Sequence, residues 1–282
     1  MVYYYMGHSL TYWDTSGAVL PTSQTQTLAR ALAILDCFDV DQPLLGVREL
    51  AHQLHMSRST VGRLLATMRS AGVLSQDPVT RCYMMGPKVL TWGAIYTSGL
   101  DIRNRARPAL EELHRATRET ISLYILDGDE RICVDRIESQ ENLRMTTRVG
   151  EWLPIHIEAS GKVFLAFVSP VLREEVISRV YKKPSASGKR SSREALLDDL
   201  KKIQAQGYAV SHGESTAGAS CVSAAVFDAT GKPIAAITIS GPTIRVTDDK
   251  VSEYASLVMA AAKKVSQAMG LNGFLKPPNR GE

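Results

Sequence analysis

The chain has 282 residues, enough for one large domain or two ordinary ones, and its 44% hydrophobic and 22% charged residues are a normal globular balance. The net charge of +4 is unevenly spread: residues 43–90 hold six basic side chains (Arg48, Arg58, Arg63, Arg69, Arg81, Lys88) against only Glu49 and Asp77, while 27 basic and 27 acidic residues cancel elsewhere. Four scattered cysteines without a C-x-x-C pair, no apolar run near the roughly 18 residues of a membrane span, and a first basic residue as late as Arg30 argue against a zinc ribbon, a redox motif, a membrane span and a signal peptide. The expectation is a cytoplasmic protein with no membrane association, no cofactor and no metal.

Residues 1–22 show no sustained period and are read as a disordered leader. A helical pattern runs from Ser23 to Phe38, with Leu28, Ala31, Leu32 and Leu35 on one face. Asp41-Gln42-Pro43 breaks it. The next helix spans about Val47–Leu54 with Leu50, Ala51 and Leu54 inward, and His55-Met56 makes the turn. Ser57 is a good N-cap for a third helix, in which Val61, Leu64, Leu65 and Met68 recur at i, i+3, i+4 and i+7. The opposite face carries Arg58, Ser59, Gly62, Arg63 and Ala66, short and basic with no carboxylate. Such a helix suits a DNA major groove. Its start, Ser57-Arg58-Ser59-Thr60, suits phosphate oxygens and base edges alike. Arg58 is the candidate for a bidentate contact to guanine, while Arg63 either holds a phosphate or pairs with Glu49. Gly72 ends the helix, and Val73–Gln76 and Arg81–Met85 read as a hairpin around Asp77-Pro78-Val79-Thr80. This is a wing, on which Arg81 and Tyr83 face the DNA backbone or Tyr83 packs within the wing. The segment 23–86 is thus a winged helix-turn-helix.

Residues 87–119 read as two helices separated by Gly99 and Pro108. The first, over 87–104, is a linker helix; the second opens a new domain, 105–271. There the period changes to strands at Thr120–Asp127, Arg131–Ile137 and Leu143–Val149. Helices follow at Gly161–Phe167, Pro170–Val180 and Ser192–Gln206, then strands at Ser220–Phe227 and Ile234–Ser240, and a last helix over Asp248–Met269. Strands, helices, strands and a helix make an α+β domain on an antiparallel sheet. Residues 272–282 read as a flexible tail.

Several of these segments together resemble the IclR-type bacterial transcription regulators, from Gln24 to Gly270. They are TLARALAILDCF (27–38), RELAHQLHMSRSTVGRLLATM (48–68), DPVTRCYMMGPKVL (77–90), LPIHIEASGKVFLA (153–166), QGYAVSHGES (206–215) and CVSAAVFDATGKPIAAITISGP (221–242). The resemblance implies a winged helix-turn-helix joined by a linker helix to a GAF-like effector domain. It also implies a homodimer or homotetramer on a partly palindromic operator, with a small organic acid as effector and a catabolic operon, commonly repressed, as target. It would place backbone N–H groups of Ala159 and Ser160 at the start of a helix, where a carboxylate is favoured. Polar contacts would come from Ser211, Cys221, Thr238 and Ser240, with Met145 and Leu153 as apolar lining. Within the family pattern His55 replaces a small residue, Ser57 a common proline, Gly46 a capping Ser or Thr, and Ser211 a carboxylate found in a relative. The run TISGPTIRVTDDKVSEYA (238–255) looks most like the glyoxylate-shunt repressor branch.

Two other readings compete. One is a protein-interaction adaptor whose winged helix no longer binds DNA; the basic bias of residues 43–90 argues against it. The other is an enzyme built on Cys221 with His156 or His212 and Asp228, but no motif fixes that geometry and buried cysteine is ordinary core. No G-x-G-x-x-G or Walker segment follows a strand.

Overall fold

A computed structural model describes residues 23–98, 101–141, 148–182 and 192–271. The leader, the tail, Met145 and most of the expected strand Leu143–Val149 lie outside the described residues. The chain divides into two compact units at Gly99/Leu100.

The first unit runs α1 (Ser23–Leu35), α2 (Val47–Gln53), α3 (Arg58–Ser70), β1 (Leu74–Gln76), β2 (Tyr83–Met85) and α4 (Pro87–Ser98). Val61, Leu65 and Met68 of α3 are buried against Ile34, Leu45, Leu50, Ala51, Val73, Leu74 and Tyr83. His55 takes the left-handed conformation (φ 51°) in the turn between α2 and α3, so the backbone there is held against the usual preference of a side chain. Gly46 caps α2 with no side-chain hydrogen bond. After α3 the chain reverses at Gly72 (φ 74°), whose backbone lies so close to Gly86 that a Cβ on Gly86 would collide with it. β1 and β2 pair antiparallel, and Leu45 bridges to Tyr83 on the other side of β2.

Two expectations are corrected here. In α1 the fully buried residue is Ile34, whereas Leu28 and Leu32 are 61% and 49% exposed. Tyr83 is buried in the core of the unit because β2 alternates it inward, so its side chain is not offered to a DNA backbone. Of the expected linker helix 87–104, α4 covers Pro87–Ser98 and α5 (Asp101–Thr117) begins at Asp101, and residues 99–100 lie outside the described residues. Ile102 of α5 already packs in the core of the second unit, and Pro108 lies inside that helix rather than ending it.

The second unit continues from α5 through β3 (Thr120–Asp127), β4 (Glu130–Ile137), β5 (Trp152–Pro154), α6 (Glu158–Phe167), α7 (Pro170–Lys182), α8 (Arg193–Gln206), β6 (Ala209–His212), β7 (Ala219–Phe227), β8 (Pro233–Pro242) and α9 (Asp248–Ala268). The sheet order is β5-β4-β3-β8-β7-β6, and every described pairing is antiparallel. Strand alternation sends Ile121, Leu123, Val222, Val226, Ile237 and Ile239 to one face, under α5 and α9. Tyr124, Cys133, Ala225, Phe227 and Ala236 go to the other, under α6, α7 and α8. The sheet is therefore covered on both faces, and α6 is buried along nearly its whole length.

Candidate functional sites for DNA and for an effector

The DNA-facing candidate is built on α3. Ser57 sits in extended backbone at the N-cap, and its hydroxyl accepts from the Thr60 N–H at 3.2 Å. The same hydroxyl lies 3.0 Å from Ser59 Oγ and 2.9 Å from Thr60 Oγ1, so the three hydroxyls form one cluster at the helix start. Ser57, Arg58, Ser59 and Arg63 are exposed, and Thr60 and Gly62 half-exposed. Nothing stands within 4 Å of where a Gly62 side chain would begin, so this face is open. Glu49 accepts from Gln42 Nε2 at 2.5 Å, and neither Arg58 nor Arg63 enters an ion pair among the described residues. Arg63 is therefore not paired with Glu49 in this structure and stands exposed on α3. Arg69 is instead tied to Gln76 on β1 at 2.5 Å. In the wing, the Asp77 carboxylate accepts from the N–H groups of Val79 and Thr80 and from the Thr80 hydroxyl. These bonds from Thr80 hold its carboxyl below the usual range. They pin the turn that carries exposed Arg81, which itself has φ 61°.

The effector candidate lies between the sheet and the first turn of α6. In register, Ser211, Cys221 and Ser240 stand side by side on β6, β7 and β8, and Ser223, Thr238 and Ser122 form the next row. All six face the α6 side, opposite the aliphatic face. Ser223 Oγ donates to the Ile237 carbonyl at 3.0 Å, which leaves Thr238 Oγ1 to donate to Ser223 at 2.9 Å. Ser240 Oγ reaches the Thr120 carbonyl at 3.4 Å. Ser122 is 1% exposed, and its hydroxyl has no partner among the described residues. Cys221 is enclosed by the sheet and α6 yet keeps accessible surface. Burial pushes its thiol up to about 12, and the nearby Glu158 charge adds to this, outweighing a hydrogen bond from Ser211.

The start of α6 has no capping side chain of its own. Ile157 occupies the N-cap, and Glu158 follows at φ 59°. The orphan donors are filled from the β6–β7 side instead. The Ala159 N–H donates to Ser211 Oγ at 3.1 Å, and the Glu158 N–H to Glu214 Oε2 at 2.9 Å. The other oxygen of Glu214 accepts from Lys162 Nζ at 2.5 Å, and Lys162 also reaches Asp199 at 3.4 Å. Beneath the first turn runs Arg131 of β4, fully buried. Its Nη2 meets Glu158 Oε2 at 2.7 Å, Nη1 bonds the Pro154 carbonyl, and the guanidinium stands over the Tyr124 ring at 5.5 Å. Its Nε has no partner among the described residues.

The structure thus brings together Ala159, Ser160, Ser211, Cys221, Thr238 and Ser240. Leu153 lies opposite Arg131 in the β4–β5 pairing, half-buried beside them. Sequence reasoning missed Ser122, Tyr124, Arg131, Glu158, Lys162, Ser223 and Glu214. The alternation Arg131-Ile132-Cys133-Val134-Asp135 carries the signal for Arg131: it shares a strand face with Cys133. The cysteine-enzyme constellation is not assembled. His212 Nδ1 bonds Ser220 Oγ at 2.9 Å, and Asp228 is committed to Thr230 and Lys232 in its own turn. Among the described residues no helix is long and apolar enough to cross a membrane, and no cluster of His, Cys, Asp or Glu could hold a metal ion.

Comparison with known proteins agrees with both halves. Residues 94–267 match the family described as bacterial transcriptional regulator IclR C-terminal, and residues 27–78 the IclR helix-turn-helix domain. The chain is 34% identical to the HTH-type transcriptional regulator KdgR of Escherichia coli over 86% of its length and 94% of that protein. It is 31% identical to the transcriptional repressor IclR of the same organism, over 88% and 92%. A solved IclR homologue from Microbacterium hydrocarbonoxydans, complexed with 4-hydroxybenzoate, superposes with a TM-score of 0.75 at 25% identity, over 86% of this chain and 98% of that one. Its DNA-binding helix-turn-helix and its effector-binding domain place the chain in the IclR family of bacterial transcriptional regulators.

Proposed function

We propose that this regulator binds a partly palindromic operator as a homodimer or higher homo-oligomer, and that a small organic acid seated at the start of α6 modulates that binding. The carrying observation is the arrangement at α6: a helix N-terminus facing two rows of hydroxyl and thiol groups, with a buried guanidinium beneath. Such an arrangement favours a carboxylate with hydroxyl or keto substituents. The solved homologue that holds 4-hydroxybenzoate is consistent with an acid of this kind. Ala159, Ser160, Ser211, Cys221, Thr238 and Ser240 are its proposed contacts, with Leu153 as apolar lining and Met145, outside the described residues, added by resemblance. Ser57, Arg58, Ser59, Thr60, Gly62, Arg63 and Arg81 are the proposed DNA contacts. Effector binding acts on the spacing of two DNA-binding heads through the connection from α4 to α5, and this requires that the acid bind one arrangement better than the other. Identities of 34% and 31% to two differently named regulators give no preference for the glyoxylate-shunt branch. A catabolic operon is the proposed target.

The test is a mobility shift of the full chain on the DNA upstream of its own gene, with and without acetate, pyruvate, glyoxylate and 4-hydroxybenzoate. A specific shift altered by one acid supports the reading. Arg58→Ala should weaken the specific shift about 5- to 150-fold, from the roughly 1–3 kcal/mol of a bidentate guanine contact; unaltered affinity would remove Arg58 from the interface. Absence of any specific shift at low salt would favour the adaptor reading.

A further inference from the structure

We propose that the Glu214 carboxylate is a built-in occupant of the effector's anion position, and that an effector acid binds by displacing it. This rests on the reading that the effector is a carboxylic acid at the start of α6. Glu214 holds an anion's position beside the proposed Ala159 and Ser160 contacts: one oxygen accepts from the Glu158 N–H of the same first turn, the other from the buried Lys162 ammonium, and both donors are added here to those the acid would use. A second observation, independent of the helix end, supports an anion site here. Arg131 is fully buried, is directed at Glu158 in the same turn, and has an Nε without a partner among the described residues.

Charge decides how an acid enters. Two cations, Arg131 and Lys162, already face three carboxylates, Glu158, Glu214 and Asp199. A further carboxylate would enter a site whose charge is already balanced toward the negative, so one resident carboxylate must leave. Asp199 touches no α6 N–H, and its departure would free no donor of the helix. Departure of Glu158 would strand the buried Arg131 without a counter-charge. Glu214 is the one that leaves at little expense. It lies in the exposed segment joining β6 to β7, flanked by Gly213 (φ 63°) and Gly218 (φ 77°), and its side chain is already 31% exposed. On release, its carboxylate regains water while the acid takes over Lys162 and the Glu158 N–H. The β6–β7 segment then loses its tie to α6, so occupancy of the site becomes a change in that segment.

The test uses the full chain with Glu214→Ala and Glu214→Gln, and acetate as the probe, with chloride at matched ionic strength as control. Removing the internal competitor should let acetate raise the melting temperature of Glu214→Ala at concentrations that leave the wild type unmoved, with Glu214→Gln between them. In the wild type, an acid that alters operator binding should speed amide exchange at residues 213–218. In Glu214→Ala that exchange should be fast already, and the same acid should bind at least tenfold tighter. Equal acetate response in all three forms, or weaker acid binding by Glu214→Ala, would overturn the displacement while leaving the acid reading in place. Failure of every acid to alter operator binding would count against the acid reading, and the acetate comparison would still report on Glu214.

Discussion

Cys221 and Cys133 stand where a reactive thiol would be useless and a protonated one is comfortable. Burial pushes both up to about 12, from an ordinary value of 9.0. At neutral pH each is a small neutral group in both folded and unfolded chains, so neither contributes pH dependence there. Above pH 9 the unfolded chain loses these protons while the folded chain keeps them, and stability falls as pH rises. Denaturation midpoints should therefore be flat in this respect to pH 9 and decline beyond it, and replacing both cysteines by alanine should flatten that decline. Iodoacetamide should label Cys221 slowly in the native chain at pH 8 and rapidly after denaturation. At the same scale, Ser57→Ala removes the hydroxyl that caps α3 and should lower the stability of the first unit by about 0.5–2 kcal/mol, read by chemical denaturation. Ser57 was legible from its position before an amphipathic run. Arg131 was legible only as sharing a strand face with Cys133, a signal easily passed over because an arginine on a strand ordinarily faces water; the sheet order shows that β5 and α6 close over it.

Elements were legible where one face meets the core and the other meets water. α3 shows its stripe because Arg58, Arg63 and Arg69 flank it, and α8 and α9 are similar. The reading failed where apolar residues are left exposed. In α1, Leu28 and Leu32 carry the same signal as a core stripe although Ile34 is the buried one. β5 and β6 went unread because three or four residues are too short to show alternation. α6 was visible as a segment, but its tight seat was not. A Cβ at Gly161 would lie 2.6 Å from Arg131 Nη1 and 2.9 Å from the backbone of Pro154 and Ile155. Gly161→Ala must push α6 off β5 or displace the guanidinium from Tyr124. It should lower the stability of the effector domain by about 1–3 kcal/mol, the usual range for overpacking. Acid binding should fall with it, whereas operator affinity without acid should change much less.

At the scale of the whole molecule, the proposed function has the two units answer to different variables, salt for one and a small acid for the other. Arg58, Arg63 and Arg81 are exposed on α3 and the wing turn and are the proposed DNA contacts, while Arg69, also exposed on α3, is held by Gln76. With Arg58 on a base edge and Arg63 and Arg81 each on one phosphate, a dimer would make four such contacts, and the logarithm of the binding constant should fall against the logarithm of salt with a slope of about −4. The proposed dimer has a candidate surface in the first unit. On α4, Trp92 is 47% exposed, Ile95 65% and Tyr96 52%, one apolar face at helical spacing of the kind that marks an interaction surface. Trp92→Glu places a charge in that surface. It should shift the protein toward a smaller species in sedimentation, with little loss of stability because Trp92 is not part of the unit's own core. The salt slope on operator DNA should then drop to about half, since each head would bind by itself, and the preference for two half-sites at fixed spacing should vanish with it. An unchanged assembly with an unchanged slope would mean that α4 is not the surface that pairs the DNA-binding heads, and the symmetry of the operator would have to be set by the second unit.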